Sequence, residues 1–375
     1  MLLLFLTSAL FVSCETQDAT SLTTDTETET KTPASDNEDN LDIETNTEIE
    51  PTNDNDTASS FDDTQDSAAV SEEDDEAEEE EEEEEETSLN IPFGFWGLNG
   101  YHSSDGFLDV QTRFGTTVFQ MASSAPNWTV NTFLPLVRDS GMKVTLRMTS
   151  NPDYSGSFNI NTWKADMDNW VGSGVQEFID DGTLIGHMLL DDIYNFAGTD
   201  ATAADLDEMA RYSKEILPGL FTFVRERASN APIPISGTYE HVDAFVNQFT
   251  TVNIDNGEVT DYDGNGDIDV YDYAYENAGA AESLGVGIIM GLNICDGGNG
   301  ESGQVGWRAP THRTFYAMSA NEILAYGTAL LEVPDVLMFL MWEYDGQEAW
   351  SDGSIGSDYF DQQVLQEAIY SLSQL

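Results

Sequence analysis

Short apolar segments recur between residues 93 and 342, and longer segments with a helical spacing of apolar residues separate most of them. The short segments are apolar on both faces and rich in β-branched and aromatic side chains. This pattern predicts a parallel sheet, because crossover helices cover both faces of such a sheet. The eight predicted strands are Phe93–Leu98, Thr116–Met121, Lys143–Met148, Ile185–Asp191, Ile233–Thr238, Val242–Phe249, Val286–Asn293 and Val336–Trp342.

Helical patterns follow six of these strands, and this alternation within residues 89–375 predicts a (β/α)8 TIM barrel. The alternative is a doubly wound open sheet, which usually carries a glycine-rich phosphate-binding turn after its first strand. No such turn follows the first predicted strand, so the barrel is favoured. The predicted helices are Asn131–Ser140, Asn161–Asp180, Ala203–Ser229, Asp272–Leu284, Ser319–Leu331 and Asp361–Leu372.

Polar and aromatic residues stand where the predicted strands end. In a barrel these ends meet at one face, and that face carries the chemistry in enzymes of this fold. Aromatic rings stack on the apolar face of a sugar, while amides and carboxylates bind its hydroxyls. The predicted substrate-binding residues are Asn99, Tyr101, His102, Arg147, Tyr239, Asn293, Asp296 and Trp342.

Carboxylates at three of the strand ends supply candidate acid–base chemistry. Asp191 and Asp192 end the fourth predicted strand, Glu240 follows the fifth and Glu343 follows the eighth. Neighbouring residues on a strand point to opposite faces. We therefore expect one of Asp191 and Asp192 to enter the barrel mouth and the other to face the helix layer or a loop. The expected acid pair is Asp192, or Asp191, with Glu343, and Glu240 is held in reserve.

With these strand-end acids and Trp342 closing the last strand, residues 90–375 resemble the barrel glycoside hydrolases at the level of the fold. The resemblance implies cleavage of a polysaccharide or oligosaccharide by a pair of carboxyl groups. The large retaining clan places Asn-Glu at the end of strand four and Glu at the end of strand seven. This chain has Asp191-Asp192 and Asn293 to Asp296 there, so the roles of nucleophile and acid do not carry over. A surface barrel that binds glycan without cleaving it is the alternative.

A separate signal is the twelve-residue loop 261–272, which reads D-Y-D-G-N-G-D-I-D-V-Y-D. Oxygen-bearing side chains alternate with spacers, and Gly266 stands at the turn, as a hard cation of calcium's size requires. The loop resembles the calcium loops of EF-hands and of dockerin modules. We expect a structural calcium ion that clamps this loop and the start of the following helix. The predicted ligands are Asp261, Asp263, Asn265, Asp267, Asp269 and Asp272.

The chain opens with the apolar run MLLLFLTSALFVS, followed by Cys14. This run is too short for a membrane-spanning helix but fits a signal peptide. Ser13 before Cys14 resembles the lipobox of bacterial lipoproteins, which implies lipidation of Cys14 and a place in the cell envelope or at the cell surface. The alternative is an ordinary secretory signal. The chain has two cysteines, so lipidation of Cys14 would leave Cys295 without a disulfide partner.

Charge divides the chain at about residue 88. Residues 15–88 hold 31 of the 71 acidic residues and one of the 12 basic residues, Lys31, which predicts a disordered linker. Residues 89–375 keep 40 acidic and 11 basic residues. A nucleic-acid partner is excluded because phosphate binding needs a basic face. Zinc-protease, phosphate-loop and serine-hydrolase motifs are absent from the sequence, and no organic cofactor is expected.

Overall fold

The structure is a computed structural model that describes residues 91–99, 103–149, 158–193, 200–251, 269–306, 316–345 and 357–375. Eight parallel strands follow one another in sequence order and close on themselves, so that β1 pairs with both β2 and β8. The predicted (β/α)8 TIM barrel is confirmed. The strands are β1 Phe93–Asn99, β2 Val118–Ala122, β3 Lys143–Arg147, β4 Leu184–Asp191, β5 Phe221–Arg225, β6 Ala244–Phe249, β7 Gly287–Leu292 and β8 Val336–Asp345.

Helices alternate with the strands on the outside of the barrel. A π-helical segment spans Thr129–Phe133 and a 3-10 turn spans Ala228–Asn230. Within the described ranges, no helix is long and apolar enough to cross a membrane. The α-helices are α1 Ser104–Phe114, α2 Pro126–Trp128, α3 Leu134–Ser140, α4 Ile160–Asp168, α5 Gln176–Asp180, α6 Ala203–Ile216, α7 Val270–Leu284, α8 Ala320–Leu331, α9 Ser357–Phe360 and α10 Gln363–Ser373.

Strand five differs from the prediction. The helix predicted over Ala203–Ser229 ends at Ile216, because Pro218 cannot continue it and Gly219 adopts a positive φ of 87°. The strand that follows is Phe221–Arg225, whereas the predicted strand Ile233–Thr238 is a connection that precedes β6. Its aliphatic side chains are exposed, as the 75% exposure of Ile233 shows.

The core has two layers. Inside the barrel, alternate residues of the strands pack into one cluster that includes Trp96, Met188, Phe223 and Leu340. The opposite faces of the strands pack against the helices in a larger cluster. His187 on β4 belongs to this outer layer: it is fully buried, and its Nδ1 lies 3.0 Å from Ser213 Oγ on α6. Desolvation lowers its pKa to about 3, so it is neutral, as expected of a core histidine.

Candidate active site at the carboxyl ends of the strands

A β-bulge near the end of β4 sets the direction of two aspartates. Met188 pairs with Phe223 of β5, but Asp191 pairs with Arg225, so β4 carries one extra residue between these pairs. Bulges of this kind re-aim side chains. Asp192, directly after the strand, has a φ of +52°, and its N–H donates to the carbonyl of Arg225 at 2.9 Å.

Both aspartates consequently reach the same guanidinium group. Arg225 Nε forms an ion pair with Asp191 Oδ1, and Arg225 Nη2 lies 3.4 Å from Asp192 Oδ2. The expectation that Asp191 and Asp192 would face opposite sides is therefore wrong. Simple alternation fails here because the bulge and the left-handed backbone of Asp192 turn the second side chain towards the first.

Arg225 is the centre of the cluster. Besides the two aspartates, its Nη1 donates to Gln248 Oε1 on β6 at 3.2 Å. Its guanidinium carbon lies 5.4 Å from the ring centre of Trp96 on β1. Arg147 at the end of β3 adds a second cation, with its Nη1 3.2 Å from Asp191 Oδ2. Arg147, which was predicted as a substrate contact, is thus engaged by a carboxylate of the cluster.

Glu226 follows β5 directly and was missed by the sequence reasoning. Its Oε1 accepts a hydrogen bond from the N–H of Arg227 at 2.9 Å. Its Oε2 is buried and has no hydrogen-bond partner among the described residues. Burial raises the pKa of the Glu226 carboxyl, and the negative charge of Asp192 adds to this, against the opposing effects of the Arg227 N–H and the charges of Arg227 and Arg225. A carboxyl group that keeps its proton at higher pH is suited to act as a general acid.

The residues that follow β7 are more deeply buried than the arginine–aspartate cluster at the ends of β3, β4 and β5. Asn293 is 3% exposed and Asp296 is fully buried, and the Asn293 Oδ1 accepts a hydrogen bond from the Asp296 N–H at 3.1 Å. This bond shapes the turn after β7. Trp342 on β8 forms a bridge with Asn293 and is only partly buried, between the inner and outer core layers. Of these three predicted substrate contacts, Trp342 is the most exposed.

Tyr239 and Glu240 are at the opposite end of the barrel, which corrects their predicted place. They precede β6 and do not follow β5. Tyr239 is buried, and its hydroxyl donates to the carbonyl of Pro232 at 2.6 Å. Glu240 is exposed, and its backbone N–H donates to Asp207 Oδ1 at 3.0 Å. The error follows from the misplaced fifth strand, and it removes the reason for a catalytic role of Glu240 or a sugar-binding role of Tyr239.

Asp207, Glu240 and His241 bring one possible ligand atom each within 4.8 Å of one another. The same Asp207 oxygen already accepts the N–H groups of Glu240, His241 and Val242 at 3.0, 2.7 and 3.3 Å. These bonds give the cluster a structural role, since they tie α6 to the connection before β6.

Several predicted residues are described in backbone only or lie outside the described residues. Asn99 and Glu343 stand at the carboxyl ends of β1 and β8, which pair with each other. Asp269 is the N-cap residue of α7 and Asp272 lies in its first turn, so the calcium-loop sequence joins β6 to α7 as predicted. The predicted residues outside the described ranges are Cys14, Tyr101, His102, Asp261, Asp263, Asn265 and Asp267.

No protein-family model matches the chain, and no curated protein matches it. Among solved structures, a glycoside hydrolase family 17 β-1,3-glucanosyltransferase from Rhizomucor miehei is similar over 72% of this chain and 95% of its own, with 14% identity and a TM-score of 0.46. A GH113 β-1,4-mannanase is similar over 76% of this chain and 98% of its own, with 11% identity and a TM-score of 0.44. Xylanase B from Clostridium stercorarium F9 is similar over 75% of this chain and 96% of its own, with 10% identity and a TM-score of 0.45. At these identities and TM-scores, the function has to be argued from the side chains of this chain itself.

Proposed function

We propose that this protein is a glycoside hydrolase that cleaves a polysaccharide or oligosaccharide with carboxyl groups at the ends of β4 and β5. One observation carries the proposal: Asp191 and Asp192 contact Arg225 at the carboxyl end of the barrel, directly before Glu226 in the chain, and burial raises the pKa of the Glu226 carboxyl. Two carboxyl groups in different environments are what glycosidic cleavage needs, since one donates a proton while the other acts as base or nucleophile.

The contacts favour a division of roles among the three acids. Glu226 is the proton donor to the leaving oxygen, because it is the acid whose protonated form burial favours. Asp191 contacts both Arg147 and Arg225 and is 14% exposed, which fits a residue that holds the cluster together. Asp192 lies 3.4 Å from Arg225 Nη2 and is more exposed than Asp191, at 22%, so it is the better candidate for the base or nucleophile.

The negative charge of the barrel domain favours an uncharged substrate. Residues 89–375 carry 40 acidic and 11 basic residues, and Arg147 and Arg225 at the strand ends are already paired with aspartates. A neutral glycan therefore fits better than an anionic one. Trp342, three residues before the end of β8, is the ring that would stack on a sugar.

The test is release of reducing sugar by the full chain from neutral β-glucans, mannans, xylans and chitin. We expect at least one substrate to be cleaved, and Glu226→Gln and Asp192→Asn to lower kcat by about 100-fold or more. Glu240→Gln is the matched control, because it changes a glutamate at the other end of the barrel. Binding of a glycan without cleavage by the wild type would instead support the non-catalytic alternative. Full activity in both variants would exclude Glu226 and Asp192 as catalytic residues.

The loop from Asp261 to Asp272 is proposed to bind a structural calcium ion. The support is its ligand spacing and its place at the start of α7, where Asp269 is the N-cap residue and Asp272 lies in the first turn. EGTA should lower the Tm of the full chain, and Asp263→Asn should weaken that response. An unchanged Tm together with no calorimetric calcium uptake would contradict the proposal.

Export with lipidation at Cys14 is likewise proposed, on the apolar run and the Ser13-Cys14 junction. Metabolic labelling with radioactive palmitate should mark the wild type and not Cys14→Ala. Release of unlabelled wild type into the medium would favour the ordinary secretory signal.

A further inference from the structure

Arg225 spans the inside of the barrel. Along β5 it lies on the same face as Phe221 and Phe223, which pack in the inner cluster, so its side chain also points inwards. In a closed barrel of eight strands, β5 lies opposite β1. The guanidinium group lies over the ring of Trp96 on β1, at 5.4 Å from its centre. The side chain therefore extends across the inside of the barrel, from β5 to β1.

Arg225 also holds the unusual backbone of Asp192. Its carbonyl accepts the Asp192 N–H at 2.9 Å, and its Nη2 lies 3.4 Å from the Asp192 carboxylate. A φ of +52° is uncommon for a residue with a side chain, and such conformations persist where the surroundings fix them. Arg147 contacts the neighbouring Asp191, with its Nη1 3.2 Å from Asp191 Oδ2.

We propose that Arg225 is the positioning residue of the site. Its guanidinium group fixes the bulged Asp191–Asp192 pair relative to Glu226 and is itself held in place by packing over Trp96. This inference rests on the proposed function, because it assigns the geometry of the same three acids. The planar fork of arginine suits the task, as it contacts Asp191, Asp192 and Gln248 through three different nitrogens. Lysine has the charge but presents a single nitrogen.

The experiment compares Arg225→Gln and Arg225→Lys with the surface control Arg211→Gln. Arg211 bonds Glu208 and Glu215 on α6, so its replacement removes the same charge away from the mouth. Steady-state kinetics as a function of pH are measured on the full chain with the substrate found in the panel. We expect kcat of Arg225→Gln to fall about 100-fold with little change in KM, because misplaced acids damage the chemical step. Arg225→Lys should be intermediate.

The pH profile separates positioning from a merely structural role. The charge of Arg225 lowers the pKa of Glu226, so its removal should move the alkaline limb of activity to higher pH, while Arg211→Gln leaves the limb in place. An unmoved limb, or a kcat for Arg225→Gln within about twofold of the Arg211→Gln control, would overturn the proposal.

A second readout does not need activity and keeps the two proposals apart. The Tm shifts of Arg225→Gln and Asp192→Asn are measured singly and together. Residues that contact each other give non-additive shifts, so the double variant should lose less than the sum of the single losses. Additive shifts would overturn the positioning role even if the enzyme is active. Non-additive shifts in a chain that cleaves none of the panel would support the restraint and reject the proposed hydrolase.

Discussion

The two ends of this barrel use carboxylates in opposite ways. At the amino end, Asp207 accepts three backbone N–H groups, and Asp243 accepts hydrogen bonds from Thr222 and Lys214. At the carboxyl end, Glu226 keeps a buried oxygen that lacks a hydrogen-bond partner among the described residues, and Asp192 is held at a positive φ. Carboxylates with satisfied bonds stabilise the fold, whereas a strained and under-bonded group is retained where chemistry needs it.

The largest expected effect concerns the pH dependence of catalysis at the carboxyl end. A general acid has to be protonated, and burial raises the pKa of Glu226. Activity should therefore persist above the usual pH range of a carboxyl group and then fall about tenfold per pH unit. Measurement of kcat/KM from about pH 4 to about pH 9 checks this. The alkaline limb should be absent from the residual activity of Glu226→Gln, and its persistence there would assign it to another group.

At the amino end, Asp207→Ala should lower stability and leave catalysis unchanged. The change removes the acceptor for the N–H groups of Glu240, His241 and Val242. Loss of a shared acceptor of this kind costs about 1–3 kcal/mol in the free energy of unfolding. Urea unfolding measures the loss, and kcat on the cleaved substrate supplies the control. A kcat reduced as strongly as in Glu226→Gln would abolish the distinction between the two ends.

The smallest effect is a change of stability with pH in Glu226→Gln. The pKa of Glu226 is higher in the folded protein than in the unfolded chain. As pH rises between these two values, the unfolded chain releases its proton first, so the folded state loses stability. Below both values the wild type bears no such cost. The Tm of Glu226→Gln should thus exceed that of the wild type near neutral pH and match it in acid. If the Tm difference between Glu226→Gln and the wild type is the same at both pH values, a change in side-chain packing and not the titration of Glu226 accounts for it.

Seven of the eight strands are visible in the sequence because an apolar segment covered on both faces has a simple pattern. The fifth strand is short, and the helical pattern before it obscured its start. Leu217-Pro218-Gly219 is the signal that separates helix from strand and could have located it. Because the fifth strand was misplaced, Glu240 was predicted as the acid that follows it and Glu226 was missed.

Asp191 and Asp192 are predictable as strand-end acids, but their orientation is not. It depends on the register between β4 and β5, which shifts between Met188 and Asp191. A bulge is defined by the partner strand, so a pattern along one strand does not contain it. Arg225 was missed because it lay within the predicted helix Ala203–Ser229, whereas in the structure it ends β5 and contacts residues of β1, β4 and β6.

The gathering of acids between β4 and β5 divides the site between the two halves of the barrel. The first four strands supply Asp191 and Asp192, while the last four supply Arg225 and Glu226. A chain cut in the connection between β4 and β5 would give one fragment with acids that lack their shared cation, and another with a cation that lacks its acids. Neither fragment would hold both Asp192 and Glu226, the proposed acid pair. Glycan cleavage on mixing the fragments would therefore report reassembly of the barrel, which makes this chain a natural candidate for a split-enzyme reporter.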